Sequence, residues 1–224
     1  RDYSSKLIDL VESASQNIAL LEKKKSEYEF EYIIKDLPKL ITSCEEGARR
    51  TRDIVLGLRN FSRIDESQIK EIDIKETIET TLNLLQGEIK NRIEIKKDFE
   101  PIPQIKCFAS QISQVFVNLL SNAIQAIQGS GTIWIHVNLI KENKNWIQIS
   151  IQDSGSGISG DHLDKIFDPF FTTKGVGQGT GLGLSITYGI IQKHGGDIQV
   201  KSQLGVGTEF IIQLPIEPQL NKQT

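Results

Sequence analysis

The sequence predicts an α+β fold, in which a two-layer α/β sandwich with a mixed sheet is preceded by an α-helical hairpin stem. Two patterns lead to this prediction. Residues 1 to about 64 carry apolar side chains at helical spacing, whereas from about residue 73 short alternating strands separate the helices. The chain of 224 residues is long enough for one domain of about 150 residues and a helical appendage.

Two apolar stripes define the helices of the N-terminal region. The first lies in a helix over about residues 2–25 and consists of Leu7, Val11, Ala14, Ile18 and Leu21. The second consists of Ile33, Leu37, Leu40, Cys44, Ala48, Val55 and Leu58. Pro38 is expected to kink the second helix or to lie in its first turn, with Asp36 as the cap. Such narrow stripes favour packing in a bundle or a dimer, and packing onto the chain's own domain is the alternative.

Helices and strands follow one another in the remainder of the chain. Helices are predicted over residues 74–90, 109–128 and 180–194, and strands over residues 93–99, 105–108, 132–140, 145–152, 197–203 and 208–214. Residues 141–144 form a polar turn, and residues 153–180 a loop rich in Gly, Ser and Thr that contains one short helix. We therefore expect a helical stem over residues 1–66, a folded domain over residues 67–217 and a flexible tail over residues 218–224.

Composition excludes several classes of partner. The net charge is −3, and the basic residues are interleaved with acidic ones, so neither nucleic acid nor an anionic membrane is an expected partner. No apolar run approaches the ~18 residues that span a bilayer. The lack of any Met leads us to expect an excerpt from a longer protein. Cys44 and Cys107 lack the spacing of metal ligands and are expected to be reduced, half-buried thiols. The histidines, His136, His162 and His194, are isolated and expected to be structural.

Three glycine-bearing segments indicate a place where the backbone approaches a ligand closely. They are residues 153–158, directly after a predicted strand, residues 175–185, leading into a helix, and residues 205–210. Glycine backbone and the free amides of a helix N-terminus bind phosphate well. The second segment fits neither the dinucleotide-binding nor the P-loop pattern, because Lys-Ser/Thr does not follow its last glycine.

Two asparagines distinguish the helix predicted over residues 109–128. Asn118 and Asn122 are four residues apart and share one face, while Val115, Leu119, Ala123 and Ile127 are expected to face the core. Two amides on an otherwise apolar helix are costly unless they bind a ligand. An asparagine oxygen is a suitable ligand for Mg²⁺ that also binds phosphate oxygens.

Together these segments resemble the sequence boxes of the sensor histidine kinases. Residues 118–125 are similar to the N box, residues 153–158 to the first glycine box, residues 167–174 to the F box, residues 179–185 to the second glycine box and residues 205–210 to a later glycine turn, in the family's order and spacing. Residues 170–174 and 122–126 further resemble the nitrogen-regulatory subclass, and residues 36–63 resemble the second stem helix of related kinases. The resemblance covers about residues 70–215 and implies the GHKL, or Bergerat, ATP-binding fold with three main helices.

The resemblance implies a protein histidine kinase that uses ATP and Mg²⁺. Such an enzyme would transfer the γ-phosphate of ATP to a histidine on its stem, for relay to a response regulator. The implied partners are the receiver domain of a response regulator and a second copy of the chain, joined through the stem as a homodimer. The implied location is the cytoplasm.

Family positions also imply roles for individual residues. Asp153 would accept a hydrogen bond from the exocyclic amine of adenine, with turn capping as the alternative. The implied catalytic residues are Asn122, which would ligate Mg²⁺, Asn118, which would support the metal or a phosphate oxygen, and Lys174, which would reach the γ-phosphate or remain solvated. The further nucleotide-binding residues are Gly155, Gly157, Ile158, Phe167, Phe171, Thr172, Thr173, Gly179, Thr180, Gly181, Leu182, Gly183 and Thr208.

The implied roles differ by segment. Gly155 and Gly157 would let the loop pass beneath the base, and the glycines of residues 179–183 would bring amides to the phosphates. Residues 159–180 would form a mobile lid, in which Phe167, Phe170 and Phe171 serve as an apolar hinge, as core packing, or as both.

The chain departs from the family pattern in two places. Many members have a basic residue that touches phosphate where this chain has Gln125, so either Lys174 compensates or the phosphates are held more loosely. The family's acceptor histidine lies on the first stem helix, which here contains none. We expect the acceptor to precede Arg1, and we expect these 224 residues to bind nucleotide without phosphorylating themselves.

Related folds offer competing interpretations. Gyrase-type and MutL-type ATPases carry a Glu one helical turn before the metal-binding Asn, whereas this chain has Asn118, whose amide cannot act as a general base. Serine kinases of the anti-sigma type would not need the long N-terminal stripes. A nucleotide-sensing or dimerising module without catalysis is the alternative from a different class.

Overall fold

The computed structural model describes residues 2–27, 30–62, 68–140, 143–174 and 179–218. The chain divides into two compact units, residues 1–52 and 53–224. The turn predicted at residues 141–144, the glycine segment at residues 175–185 and the tail after residue 217 each lie partly outside the described residues.

Two long helices form the N-terminal region, α1 over Asp2–Glu27 and α2 over Phe30–Ser62. Because α2 begins at Phe30, Pro38 lies inside the helix, so the prediction that placed Pro38 in the first turn with Asp36 as its cap was wrong. The apolar stripe of α1 is solvent-exposed, with Leu7 and Val11 each 62% exposed. Among the described residues, no helix has the length and apolar character that a membrane span requires.

The remainder of the chain contains seven strands and five helices within its described residues. The strands are β1 (Ile69–Ile72), β2 (Ile93–Phe99), β3 (Ile105–Phe108), β4 (Gly131–Ile140), β5 (Asn143–Asp153), β6 (Asp197–Gln203) and β7 (Gly207–Pro215). The helices are α3 (Ile74–Leu84), α4 (Gln86–Ile89), α5 (Ala109–Ala126), α6 (Gly160–Leu163) and α7 (Gly183–Lys193). The predicted α+β class is confirmed.

The sheet is mixed, as predicted. Its strand order is β2-β4-β5-β7-β6, in which β2 and β4 are parallel and the other neighbours antiparallel. Strand β1 was missed by the sequence analysis, in which the alternation of strands and helices began only at about residue 73. It pairs antiparallel with β3 in a separate two-stranded sheet.

Helix boundaries differ from the prediction where local geometry stops a helix. The helix predicted over residues 74–90 is interrupted at Leu85, which caps α3 through a hydrogen bond from its N–H to the carbonyl of Thr81. Helix α7 begins at Gly183 and not at Thr180, because Gly181 has a φ of 66°, which lies in the left-handed region and is incompatible with an α-helix.

Helix α5 packs one apolar face into the core. Val115, Leu119, Ala123 and Ile127 are all at most 4% exposed, which confirms the predicted core face. The helix ends at Ala126, and the guanidinium of Arg92 donates hydrogen bonds to the carbonyls of Ile124, Ile127 and Gly129 at its C-terminus. These contacts satisfy carbonyls that have no partner within the helix.

His194 links α7 to the start of α5. It is 2% exposed, its Nε2 accepts a hydrogen bond of 3.1 Å from the N–H of Phe108, and its Nδ1 lies 2.7 Å from the carbonyl oxygen of Ile190. This pair of contacts requires the neutral ring, with the proton on Nδ1. Burial lowers the pKa of His194 below its usual value. His194 is therefore a structural residue.

His194 should make the folded state sensitive to acid. Because its pKa is lowered in the folded protein, the unfolded chain binds a proton at a higher pH than the folded chain does. The free energy of unfolding should not depend on this group above about pH 6.5 and should fall as the pH drops below about 6.5. Urea unfolding between about pH 8 and about pH 5 measures this dependence. The fall should persist in His136→Gln, an exposed histidine, and weaken in His194→Gln; an identical fall in His194→Gln would contradict the assignment.

Candidate functional site

One face of α5 connects the two halves of the candidate site. Asn118, Asn122 and Ala126 are spaced four residues apart and therefore share this face. The loop after β5 packs on Ala126, where the N–H of Ser156 donates to the Ala126 carbonyl at 3.0 Å. The two asparagines lie further toward the N-terminus of α5, and Asn118 lies beside the start of α7.

Asp153 lies at the end of β5 and is 4% exposed. The N–H of Gly155 donates to its Oδ1 at 2.7 Å, and the amide of Thr208, its partner in the register of β5 with β7, also bonds to the carboxyl group. Burial raises the pKa of Asp153, and the two amides partly offset this rise. A carboxylate has about four acceptor positions, so two amide donors leave it able to accept from a ligand.

The glycines near Asp153 have packing partners within the protein. A Cβ on Gly155 would lie 2.7 Å from the carbonyl oxygen of Ala126. Gly157 has a φ of 69°, and a Cβ there would lie 2.1 Å from the carbonyl oxygen of Gln203. Close contact with α5 and with the β6–β7 hairpin thus explains both glycines. Their predicted contact with a base stays a prediction.

Ser202 belongs to the site and was missed by the sequence analysis. Its Oγ accepts a hydrogen bond of 2.8 Å from the N–H of Ile158 and lies 2.9 Å from Oγ1 of Thr208, which is 4% exposed. Strand alternation offered a signal, because Ser202 shares the inward face of β6 with Ile198 and Val200. A polar side chain at an inward position is worth examining as part of a site.

The two asparagines of α5 make different contacts. The Nδ2 of Asn118 donates to the carbonyl of Gly183 at 3.0 Å and to Oγ1 of Thr187 at 3.3 Å, so Asn118 joins α5 to the first turn of α7. The Oδ1 of Asn122 lies 3.4 Å from Nζ of Lys174. Both asparagines are half-buried. The carbonyl oxygen of Asn122 therefore already faces a cation.

Lys174 lies against α5, although its residue remains exposed to solvent. Its ammonium donates to Oε1 of Gln125 as well as lying near Asn122. Partial desolvation lowers the pKa of Lys174. Lys174 is therefore both exposed and in contact with α5, and its predicted reach to the γ-phosphate stays a prediction.

The three phenylalanines of the predicted hinge differ in burial. Phe167 and Phe171 are half-buried against the core, and the ring centroid of Phe167 lies 5.4 Å from that of Tyr188. Phe170 is 60% exposed, has a φ of 69° and donates its N–H to the carbonyl of Gly181 at 2.9 Å. Phe170 is therefore not core packing, and its backbone joins the F box to the second glycine box.

The remaining predicted residues lie around the start of α7. Thr172 and Thr173 are exposed, and Oγ1 of Thr172 accepts the N–H of Lys174 at 3.2 Å. Thr180 accepts the N–H of Leu182 at 3.4 Å, and Leu182 itself is 8% exposed. In the described part of the chain the residue before α7, Leu182, makes no side-chain cap to the amides of its first turn. Such amides favour an anion.

The fold and this site define an ATP-binding domain. Residues 108–218 match the family described as Histidine kinase-, DNA gyrase B-, and HSP90-like ATPase. Sensor histidine kinase ZraS of Escherichia coli (strain K12) is 37% identical over 172 residues, which cover 75% of this chain and 36% of ZraS. The solved catalytic domain of histidine kinase ThkA has 33% identity and a TM-score of 0.61, covering 68% of this chain and 98% of that domain. ThkA in complex with the response regulator protein TrrA has 28% identity and a TM-score of 0.64, covering 78% of this chain and 50% of ThkA.

The chain belongs to the histidine kinase family. It spans 36% of the length of ZraS and 20% of Sensor kinase CckA of Brucella abortus (strain 2308), so it corresponds to a minor part of these relatives.

Proposed function

We propose that this chain is the ATP-binding catalytic part of a sensor histidine kinase, which transfers the γ-phosphate of ATP to a histidine on a helical stem. The observation that carries the proposal is the single face of α5, which adjoins a buried carboxylate at one end and two amide side chains with an uncapped helix N-terminus at the other. A ligand with a hydrogen-bonding base and a phosphate chain satisfies both ends.

The carboxylate of Asp153 would select the base. Its two amide partners hold it in place, and its remaining acceptor capacity would receive the exocyclic amine of adenine. A guanine would present a carbonyl oxygen there and leave the carboxylate unpaired in a dry site. Ile158 and Thr208, which are joined through Ser202, would line the same end of the site.

The amide oxygen of Asn122 would hold Mg²⁺ together with phosphate oxygens. The fit is supported by its present geometry, since this oxygen lies 3.4 Å from a lysine ammonium and is a hard donor. When bound, the metal would neutralise charge on the phosphates. The amides of residues 179–183 at the start of α7 would bind the phosphate oxygens, and Asn118 would hold this turn against α5.

The stem would form a homodimer. Exposure of the apolar stripe of α1, with Ile18 at 58% and Leu21 at 61%, supports pairing with helices of a second copy in a bundle. The solved complex of ThkA with TrrA supports a response regulator as the phosphate acceptor downstream. Use of ATP supports a cytoplasmic location for this part of the protein. As domain limits we propose residues 1–66 for the stem and 67–217 for the nucleotide-binding domain, followed by a tail.

Phosphoryl transfer tests the proposal directly. The chain should be mixed with γ-labelled ATP, Mg²⁺ and a separately expressed stem that carries the family's acceptor histidine. Labelling of that histidine is expected, and it should vanish when the histidine is replaced by glutamine or when the metal is chelated. The chain alone should remain unlabelled. Phosphate release without labelling would instead indicate an ATPase, and nucleotide binding without either reaction would indicate a non-catalytic module.

A further inference from the structure

Neutral amide oxygens hold the ammonium of Lys174. Its Nζ donates to Oε1 of Gln125 and lies 3.4 Å from Oδ1 of Asn122. The Nε2 of Gln125 donates in turn to Oγ of Ser121 at 3.1 Å, one turn earlier on α5. This second bond determines which end of the Gln125 amide faces the lysine, because an amide has its donor and its acceptor at opposite ends.

The cation at this position lacks a counterion. In the stretches of chain that the structure describes, Lys174 forms no ion pair, and its recorded partners are the two amides. A lysine paired with a carboxylate would have its charge neutralised locally. A lysine held by amide oxygens is also positioned by hydrogen bonds, but it retains a positive charge that can attract an anion.

The backbone of the same segment brings Lys174 between two parts of the site. Its N–H donates to Oγ1 of Thr172 at 3.2 Å, and a Cβ on Gly179 would lie 3.3 Å from Cδ of the lysine. The lysine side chain thus runs from the glycine backbone that leads into α7 to Asn122 on α5. Any phosphate chain bound by that backbone would approach it.

We propose that Gln125 is a positioning residue, which holds the Lys174 ammonium beside Asn122 so that this cation binds the terminal phosphates of the nucleotide. A side chain of the F-box segment thereby provides a positive charge at the face of α5, and α5 contributes only the group that orients it. The inference rests on the proposed nucleotide-binding function. It requires that substitutions of Gln125 weaken binding of the phosphate chain and leave recognition of adenosine unchanged.

Calorimetry with two nucleotides separates these effects. The probes are Mg²⁺ with a non-hydrolysable ATP analogue, and AMP measured by competition. Lys174→Met should weaken binding of the analogue about 10-fold or more and leave AMP within about twofold. Gln125→Leu should weaken the analogue about 3- to 10-fold, and Gln125→Glu more, because a carboxylate would pair with the lysine.

Moving the positive charge from residue 174 to residue 125 should restore binding of the analogue. In the double variant Gln125→Lys with Lys174→Met, the charge returns on α5 itself, and affinity for the analogue should recover to within about threefold of wild type. Lys201→Met removes an equal charge from an exposed position on β6 and should have no effect. An unchanged ratio of analogue to AMP affinity in the Gln125 variants would overturn the inference while leaving nucleotide binding established. Failure of the wild-type chain to bind either nucleotide would overturn the proposed function, and the inference with it.

Discussion

Replacing Asp153 with asparagine is expected to weaken ADP binding about 10- to 100-fold, which is the range for loss of a hydrogen bond to a charged group. In the absence of nucleotide the stability of the folded protein should change little, because the loss of a desolvated charge and the loss of an acceptor oxygen have opposite effects. Burial raises the pKa of Asp153, which means that the folded state holds the ionised carboxylate less well than water does. Asparagine removes that charge but offers a single oxygen to the amides of Gly155 and Thr208.

The sign of the effect on stability follows from the raised pKa. The unfavourable contribution of Asp153 is absent below the pKa of the unfolded chain, near 3.8, and develops as the pH rises through the higher pKa of the folded state. At neutral pH the asparagine variant should remain close to wild type in urea unfolding, and the ADP affinity should be measured on the same preparation.

Asp98→Asn is the matched control for this prediction. It removes an equal charge from β2, where the carboxyl group lies 3.4 Å from His136 and is 75% exposed. It should bind ADP as wild type does. Wild-type affinity in Asp153→Asn would mean that Asp153 only caps the turn after β5, and the adenine assignment would be lost.

Gly207→Ala should be the most destabilising single change at the site. A Cβ on Gly207 would lie 1.9 Å from the carbonyl oxygen of Asp153, and the φ of 141° is rarely adopted by other residues. Both β7 and the end of β5 would have to move, at a cost of about 3 kcal/mol or more in the free energy of unfolding. Because Asp153 would move with its backbone, ADP affinity should fall as well.

Gly205→Ala provides a control within the same turn. Gly205 has a φ of 78°, but nothing lies within 4 Å of the Cβ position. Only the left-handed backbone is then unfavourable, at about 1–2 kcal/mol. Urea unfolding of both variants separates steric contact from backbone strain. Equal losses of stability in the two would show that the contact with Asp153 relaxes readily.

Some local features of this protein followed from the sequence with little ambiguity. The periodicity of α5 placed Val115, Leu119, Ala123 and Ile127 in the core, because helical spacing alone determines which residues share a face. Strands β2, β3 and β6 were predicted with the bounds observed. The order and spacing of the glycine and asparagine segments indicated the family, which the comparisons show.

Contacts between distant segments could not be read in this way. Lys174 lies 49 residues from Gln125, and no local pattern indicated that these two side chains would meet. The sequence suggested that Gly155 lets the backbone approach a ligand, whereas the backbone of Ala126 is its neighbour in the structure. The interruption of the predicted helix at Leu85 and the late start of α7 likewise depended on backbone angles that composition does not reveal.

The sequence by itself determined the fold class, the periodic elements and the residue types of the site, because these follow from spacing along one segment. Only the tertiary structure decided that Asp153 is desolvated, that Ser202 supports Ile158, and that Lys174 is held by amides. Desolvation and partner choice are set by atoms from segments far apart in the chain, and only the folded arrangement brings those atoms together.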